Sequence, residues 1–209
     1  MHVADVSAPV FWQDLYESRG DGWELGGASP VLRDVLDTMP PPPGRVAVPG
    51  CGRGHDARLL ASRGYPAVGF DFAPAAVAEA RRLAAAEGVP ATFEQRDIFS
   101  LGGAYRHVFD GVWEYTCFCA IDPRRRDEYV TTVATILRPG GWFLACFYPV
   151  RRHGPPGPPF PVDRDEVRRL LEPRFAVQRA FVPSRSVQRR TGREWLVHAV
   201  RTSAPAALR

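Results

Sequence analysis

Val46-Ala47-Val48-Pro49-Gly50-Cys51-Gly52-Arg53-Gly54 passes from a short β-prone run into glycines at alternate positions, and a helix-prone stretch follows. Glycine in such a turn lets backbone approach a ligand where a Cβ would clash. The free N–H groups at the start of the next helix favour a negative group. The pattern is G-x-G-x-G; the dinucleotide fingerprint G-x-G-x-x-G wants glycine at the next position, which is His55. Taken alone, the loop fits a structural turn as well as a binding site.

On both sides of this loop short β runs alternate with helical stretches, the mark of a parallel α/β sheet. Residues 11–19 read as an aromatic-rich amphipathic helix. Ser29-Pro30 offers an N-cap and a first-turn proline for a second helix, which Pro40 stops. Strands are expected at 45–48, 67–71, 91–95, 108–115 and 142–148. Helices are expected at 55–63, 74–87 and 123–137, the last ended by Pro139-Gly140-Gly141. Beyond a proline-rich link, residues 163–171 form a helix with Asp163 and Glu166 placed as a capping box. The runs 175–182 and 194–201 are joined by the polar stretch 183–193, so they suit a C-terminal antiparallel hairpin. The length suits a single domain spanning 1–209, with a frayed tail at 203–209.

The 27 positive side chains, set against 23 acids for a net charge of +4, are all arginine; lysine and asparagine are absent. This excludes a Walker A loop, a Schiff-base lysine and a lysine general base. Lysine and asparagine codons are A-rich, so a GC-rich genome accounts for both absences. The positive balance is therefore not taken as a nucleic-acid signature, and no nucleic-acid partner is expected. No apolar run approaches the ~18 residues of a membrane span. The first ten residues lack the basic and apolar regions of a signal peptide. A cytoplasmic monomer with no membrane contact is expected. Cys51, Cys117, Cys119 and Cys146 show no zinc spacing with histidine, so no metal is expected, and Cys117-x-Cys119 reads as the small residues of a buried strand end.

Three acids turn the loop into a candidate site. Asp71 ends the second strand, 21 residues after Gly50, where its carboxylate can accept from both hydroxyls of a ribose. Asp97-Ile98 follows the third strand, suited to take an adenine amino group and pack on the ring. Glu114 ends the fourth strand near the mouth of the glycine crevice. Each acid alone also fits an ordinary strand end. Three in register point to an adenosine-containing ligand.

Several segments together resemble a known family. Pro49-Gly50-Cys51-Gly52-Arg53-Gly54-His55-Asp56 looks like the loop of the thiopurine S-methyltransferase family, especially its halide and thiol methyltransferases, within the class I S-adenosylmethionine-dependent methyltransferases. Gly22-Trp23-Glu24-Leu25-Gly26 resembles the family's W-D-x-G, with Glu for Asp. Glu114-Tyr115-Thr116-Cys117-Phe118-Cys119-Ala120-Ile121 resembles D-Y-T-x-F-C-A-I, again with Glu for Asp. Gly157-Pro158-Pro159-Phe160 resembles G-G-P-P-Y, with Phe for Tyr. The likeness runs from about residue 11 to 201.

The resemblance implies a Rossmann-like α/β three-layer sandwich around a mostly parallel seven-stranded sheet, with residues 1–40 as a helical lid region. It implies S-adenosyl-L-methionine as cofactor. The expected cofactor contacts are Trp12, Trp23, Gly50, Cys51, Gly52, Asp71, Phe72, Asp97, Ile98, Glu114 and Tyr115. Those expected for a small-molecule acceptor are Trp12, Tyr16, Phe118 and Phe160. For Trp12 and Tyr16, plain core packing is an equal reading. An aromatic lid also makes chemical sense, because a sulfonium cation is attracted to aromatic faces.

Methyl transfer is an in-line displacement in which placing the reactants supplies much of the acceleration. Iodide, thiocyanate or hydrosulfide arrives largely as an anion, and a thiopurine or acidic thiol ionises near neutral pH. No catalytic residue is therefore assigned. Arg151-Arg152 and His153 are weighed as guides for an anionic acceptor against a solvated surface run, Arg124-Arg125-Arg126 is read as surface, and His55 as a helix start without catalytic duty. The competing readings are methylation of a small O- or N-acceptor, a nicotinamide-dependent oxidoreductase, an RNA- or DNA-binding or modifying protein motivated only by the basic balance, and a cofactor-binding protein without catalysis.

Overall fold

Strand connectivity determines where the glycine loop opens. The computed structural model describes residues 5–18, 20–154 and 157–202. From β1 (Val46–Pro49) the chain steps outward through β2 (Ala67–Asp71) to β3 (Thr92–Gln95), then returns to lay β4 (Phe109–Glu114) on the other side of β1. With β5 (Leu137–Phe147), β6 (Phe175–Phe181) and β7 (Trp195–Arg201) it forms a seven-stranded sheet in the order β3-β2-β1-β4-β5-β7-β6. The first five strands are parallel, and β7 runs antiparallel to both β5 and β6. The reversal of direction between β1 and β4 leaves a crevice at their carboxyl ends.

Side chains alternate across the sheet and feed two cores. Ala47, Phe143, Ala145 and Phe147 face α6 (Arg126–Ile136) and α7 (Arg164–Leu171), where Tyr129, Val133, Val167 and Leu171 are buried. Val46, Val48, Trp142, Leu144 and Cys146 face the opposite way, onto α2 (Pro30–Thr38), α3 (His55–Ser62) and α4 (Pro74–Glu87). Strands apolar on both sides read as continuous runs, which is why the parallel sheet was legible. A third, smaller cluster joins Val6 with Trp12 and Tyr16 of α1 (Pro9–Glu17) to Ala73 and Ala76 at the start of α4.

Three local expectations are corrected. The helix expected to run to 137 is a 3₁₀ turn, Pro123–Arg125, followed by α6, and Leu137 already pairs with Phe109. Pro139-Gly140-Gly141 lies inside β5, absorbed by a register shift opposite Phe109 and Gly111 rather than ending a helix. The capping box at α7 is half made. Asp163 accepts from the N–H groups of Asp165 and Glu166, but the Glu166 carboxylate turns to Arg126 at 2.7 Å. The 3₁₀ turn Ile98–Ser100 and the short α5 (Leu101–Ala104) were not expected. Arg19 and the tail 203–209 lie outside the described residues.

Candidate active site

The crevice at the ends of β1 and β4 opens into a cavity of about 600 Å³, within the ~300–1,000 Å³ of small-molecule sites. Its floor is the glycine loop, where Gly50, Gly52 and Gly54 have φ of 59°, 53° and 72°. The glycines answer to different neighbours. A Cβ at Gly50 would lie 2.7 Å from Cys117 Sγ, and one at Gly54 2.3 Å from Phe93 Cε1. At Gly52 the missing Cβ faces the lid side of the cavity, 3.0 Å from Tyr16 Oη. At 50 and 54, then, the close approach expected for a ligand serves the protein's own packing.

Asp71 closes one side. Its Oδ2 accepts from Gly52 N–H at 2.9 Å and its Oδ1 from Ala73 N–H at 3.0 Å, fastening the loop to the end of β2. Burial pushes its carboxyl up to about 6, against the hydrogen bonds from Ala73, Gly52 and Phe72, which pull it down. The carboxylate keeps acceptor capacity beyond these backbone bonds. Farther along the wall stand Phe72, Asp97 and Ile98; Asp97 Oδ1 caps Phe99 N–H at 2.9 Å, and Ile98 is buried beside it.

A lid from the start of the chain covers the crevice. Trp23 meets Trp12 and Tyr16 edge-on, with ring centroids 5.4 and 5.6 Å apart, and Trp12 Nε1 donates to the Val6 carbonyl at 2.8 Å. The lid is clasped by charge. Arg53 of the glycine loop pairs with Asp21 and, at 3.2 Å, with Glu24; His55 Nε2 lies 2.8 Å from Glu24 Oε1. Burial works to raise the Glu24 carboxyl, yet hydrogen bonds from His55, Gly26 N–H and Arg53 hold it down at about 2. Ser29 N–H donates to Asp56 Oδ1 at 2.7 Å, and Trp113 Nε1 to Asp56 Oδ2 at 2.7 Å, tying lid, α3 and β4 together.

At the β4–β5 end the walls are Tyr115, Cys117, Cys119, Tyr148, Pro158, Pro159, Arg189 and Arg190. Burial pushes the Cys117 thiol well above its ordinary value and that of Cys119 up to about 12, so both stay protonated. Arg190, in the 3₁₀ turn Gln188–Arg190 between β6 and β7, is only 3% exposed. Its guanidinium lies 5.2 Å from the Tyr115 ring and 4.9 Å from the Tyr148 ring. Nη2 donates to the Trp23 carbonyl at 3.1 Å, while buried Nη1 has no partner among the described residues.

Of the expected contacts, the cavity brings together Trp12, Tyr16, Trp23, Gly50, Cys51, Gly52, Asp71, Phe72, Asp97, Ile98 and Tyr115. It does not include Glu114, Phe118 or Phe160. Glu114 is wholly buried, accepting from the Tyr129 hydroxyl and, at 2.9 Å, from Phe118 N–H, and so caps the turn behind the wall. Phe118 packs edge-on against Phe147 at 5.0 Å in the core, and Phe160 packs on the lid cluster. Arg151 and Arg152 also lie elsewhere, in a separate groove, where Arg152 pairs with Asp163 and Asp165 at 3.2 and 3.0 Å; His153 is exposed. Four arginines line the cavity, Arg53, Arg125 (from the run read as surface), Arg189 and Arg190; Arg190, hidden in the sequence within a polar loop, is the buried one.

The family described as Thiopurine S-methyltransferase (TPMT) matches residues 7–207. The chain is 32% identical over 164 residues to Thiocyanate methyltransferase 1 of Arabidopsis thaliana, covering 78% of this chain and 71% of that protein. It is 32% identical over 177 residues to Thiopurine S-methyltransferase of Azotobacter vinelandii, covering 77% and 80%. Among solved structures, Burkholderia thailandensis 1,6-didemethyltoxoflavin-N1-methyltransferase, with bound 1,6-didemethyltoxoflavin and S-adenosylhomocysteine, superposes with TM-score 0.71 at 21% identity. That match covers 98% of this chain and 92% of the other, and shows the shared fold.

Proposed function

Because the chain belongs to the thiopurine S-methyltransferase family, we propose that it methylates a small soft nucleophile: a thiol, thiopurine, hydrosulfide, thiocyanate or halide. It is an S-adenosylmethionine-dependent methyltransferase; the acceptor class is our reading. The residues present fit that cofactor. The cavity has room for it, the buried Asp71 carboxylate stands at the end of β2 beside the loop, and a Cβ at Gly52 would meet only the Tyr16 side chain of the cavity wall.

When bound, the cofactor supplies a sulfonium-activated methyl group. In our assignment Gly50, Cys51 and Gly52 lie along its amino-acid portion, while Asp71 accepts from the ribose hydroxyls. Phe72, Asp97 and Ile98 hold the adenine. Trp12, Tyr16 and Trp23 cover the cationic centre, attracting it electrostatically and excluding water. The acceptor faces Tyr115, Tyr148, Cys117 and Cys119.

Arg190 is the observation that carries the acceptor class. It is a buried cation whose Nη1 has no partner among the described residues, flanked by aromatic rings and thiols. Such a place suits a soft anion stripped of water. Two relatives bear the names Thiocyanate methyltransferase 1 and "Probable thiol methyltransferase 2", which supports the same class.

The test is incubation with methyl-labelled cofactor and a panel of iodide, thiocyanate, hydrosulfide and thiopurine. Labelled methyl on at least one of them is expected. No product from any, with an alcohol or amine methylated instead, would overturn the reading.

A further inference from the structure

Beside Arg190 lies a second buried charged group that the function so far does not use. Glu194, at the foot of β7, is wholly buried. Its Oε1 accepts from the Tyr115 hydroxyl at 2.7 Å, and its Oε2 has no hydrogen-bond partner among the described residues. Burying a carboxyl with an oxygen unserved works against folding, and such groups call for a chemical reason. Glu194 itself does not line the cavity, but Tyr115 does. The Tyr115 side chain is therefore the link between this carboxyl and the cavity wall.

The surroundings fix the pair. The Trp113 ring stacks with Tyr115 at 6.1 Å and 20°, and Arg190 lies over the Tyr115 ring. The titratable and charged groups facing Tyr115 are Arg190 from the 3₁₀ turn, Glu194 from β7 and Cys146 from β5. Burial raises the phenol far above its ordinary range; Arg190 opposes this, and Glu194 adds to it. Tyr115 thus rests as a hydroxyl, able to take a proton only while giving its own away.

We propose that Tyr115 and Glu194 form a proton relay that lets the enzyme methylate thiols arriving in their neutral form. This rests on the sulfur-directed reading above. As the thiol sulfur forms its bond to the methyl carbon, the carbon–sulfonium bond breaks and its electron pair stays on the departing thioether. The thiol proton passes to Tyr115 Oη while the tyrosine proton passes to Glu194 Oε1. A sulfonium, a carboxylate and a thiol become two thioethers and a carboxylic acid, and charge balances. The proton returns through Tyr115 to water once product leaves. Tyr115 is the group that meets the acceptor, and Glu194 is the positioning residue acting through it. A halide or thiocyanate carries no proton and bypasses the relay.

The experiment compares an alkyl thiol with thiocyanate in the same preparation of wild type, Glu194→Gln and Tyr115→Phe. The thiol-to-thiocyanate rate ratio should fall by about 100-fold in each variant, the scale of a lost proton-transfer partner. The deficit should close as pH rises through the thiol's own pKa, where the acceptor arrives ionised. Rates that fall together, leaving the ratio unchanged, would overturn the relay, and so would a deficit independent of pH. A wild type that methylates neither acceptor would instead remove the sulfur-directed reading beneath it. Difference infrared spectra of wild type against Glu194→Gln at neutral pH give a readout apart from turnover. A carboxylate band is expected, and a carboxylic acid band would overturn the relay.

Discussion

Gly52 N–H donates to Asp71 Oδ2 across 2.9 Å, so the loop after β1 and the acid at the end of β2 move as one unit. Cofactor affinity should therefore follow the ionisation of Asp71. The ionised carboxylate is the better acceptor for hydroxyls, and burial has brought its midpoint to about 6. Calorimetric titration with S-adenosylhomocysteine should show affinity falling as pH drops through about 6. Asp71→Asn should bind about tenfold or more weakly with that pH step removed, the scale of a lost charged hydrogen bond.

Glu114 should govern the pH dependence of stability. Burial raises it from 4.5 to about 7, despite the hydrogen bonds from Tyr129, Phe118 and Cys117. Between those values the folded chain binds more protons than the unfolded one, so stability falls as pH rises from about 4.5 to about 7. Asp71 adds a slope of the same sign between 3.8 and about 6. Denaturant unfolding across this range should show Glu114→Gln flattening the decline by about 2–3 kcal/mol.

The loop glycines should separate folding from binding. Gly54→Ala would place its Cβ against the Phe93 ring at 2.3 Å and against Ala80 at 2.9 Å, and should cost several times the ~1–2 kcal/mol of left-handed backbone strain alone. Gly52→Ala bears that strain too, but meets only the Tyr16 hydroxyl at 3.0 Å. Thermal melts should show the larger loss for Gly54→Ala. Per degree of melting temperature lost, cofactor titration should show the larger loss of affinity for Gly52→Ala.

Arg190→Met should raise the KM for thiocyanate by about tenfold or more, the scale of one charge-assisted hydrogen bond. Arg152→Ala should leave that KM in place, since Arg152 is engaged with Asp163 and Asp165 in another groove. Steady-state kinetics on the two variants side by side decides between the arginines.

How legible the chain was depends on the kind of signal. The bounds of β2 and α4 agree with the sequence expectation because Asp71, Pro74 and Gly88 punctuate them chemically. The parallel sheet and its antiparallel end followed from apolar runs and one polar connection. The 3₁₀ turn at 98–100 and α5 are too short to show a helical period. Pro139-Gly140-Gly141 looked like a stop because a bulge cannot be told from a turn without the partner strand. The loop was legible through its glycine spacing, whereas Trp12 and Trp23 of the lid were expected only through the family resemblance. Glu114 was correctly placed at a strand end, but the direction of its side chain depends on Tyr129, fifteen residues on. Arg190 and Glu194 were missed for a sharper reason: charged residues in a polar stretch read as solvated, and only tertiary packing buries them.

The hydrogen bond from Arg190 to the Trp23 carbonyl joins residues 167 positions apart. Contacts of such separation form late, because they wait on the closure of everything between. A ribosome-bound chain that has already emitted the glycine loop, Asp71 and the aromatic lid still lacks the residue that seals them. The Trp23 carbonyl therefore gains this partner only once the 3₁₀ turn between β6 and β7 is in place. The closing arginine reports to the lid that the C-terminal hairpin has paired.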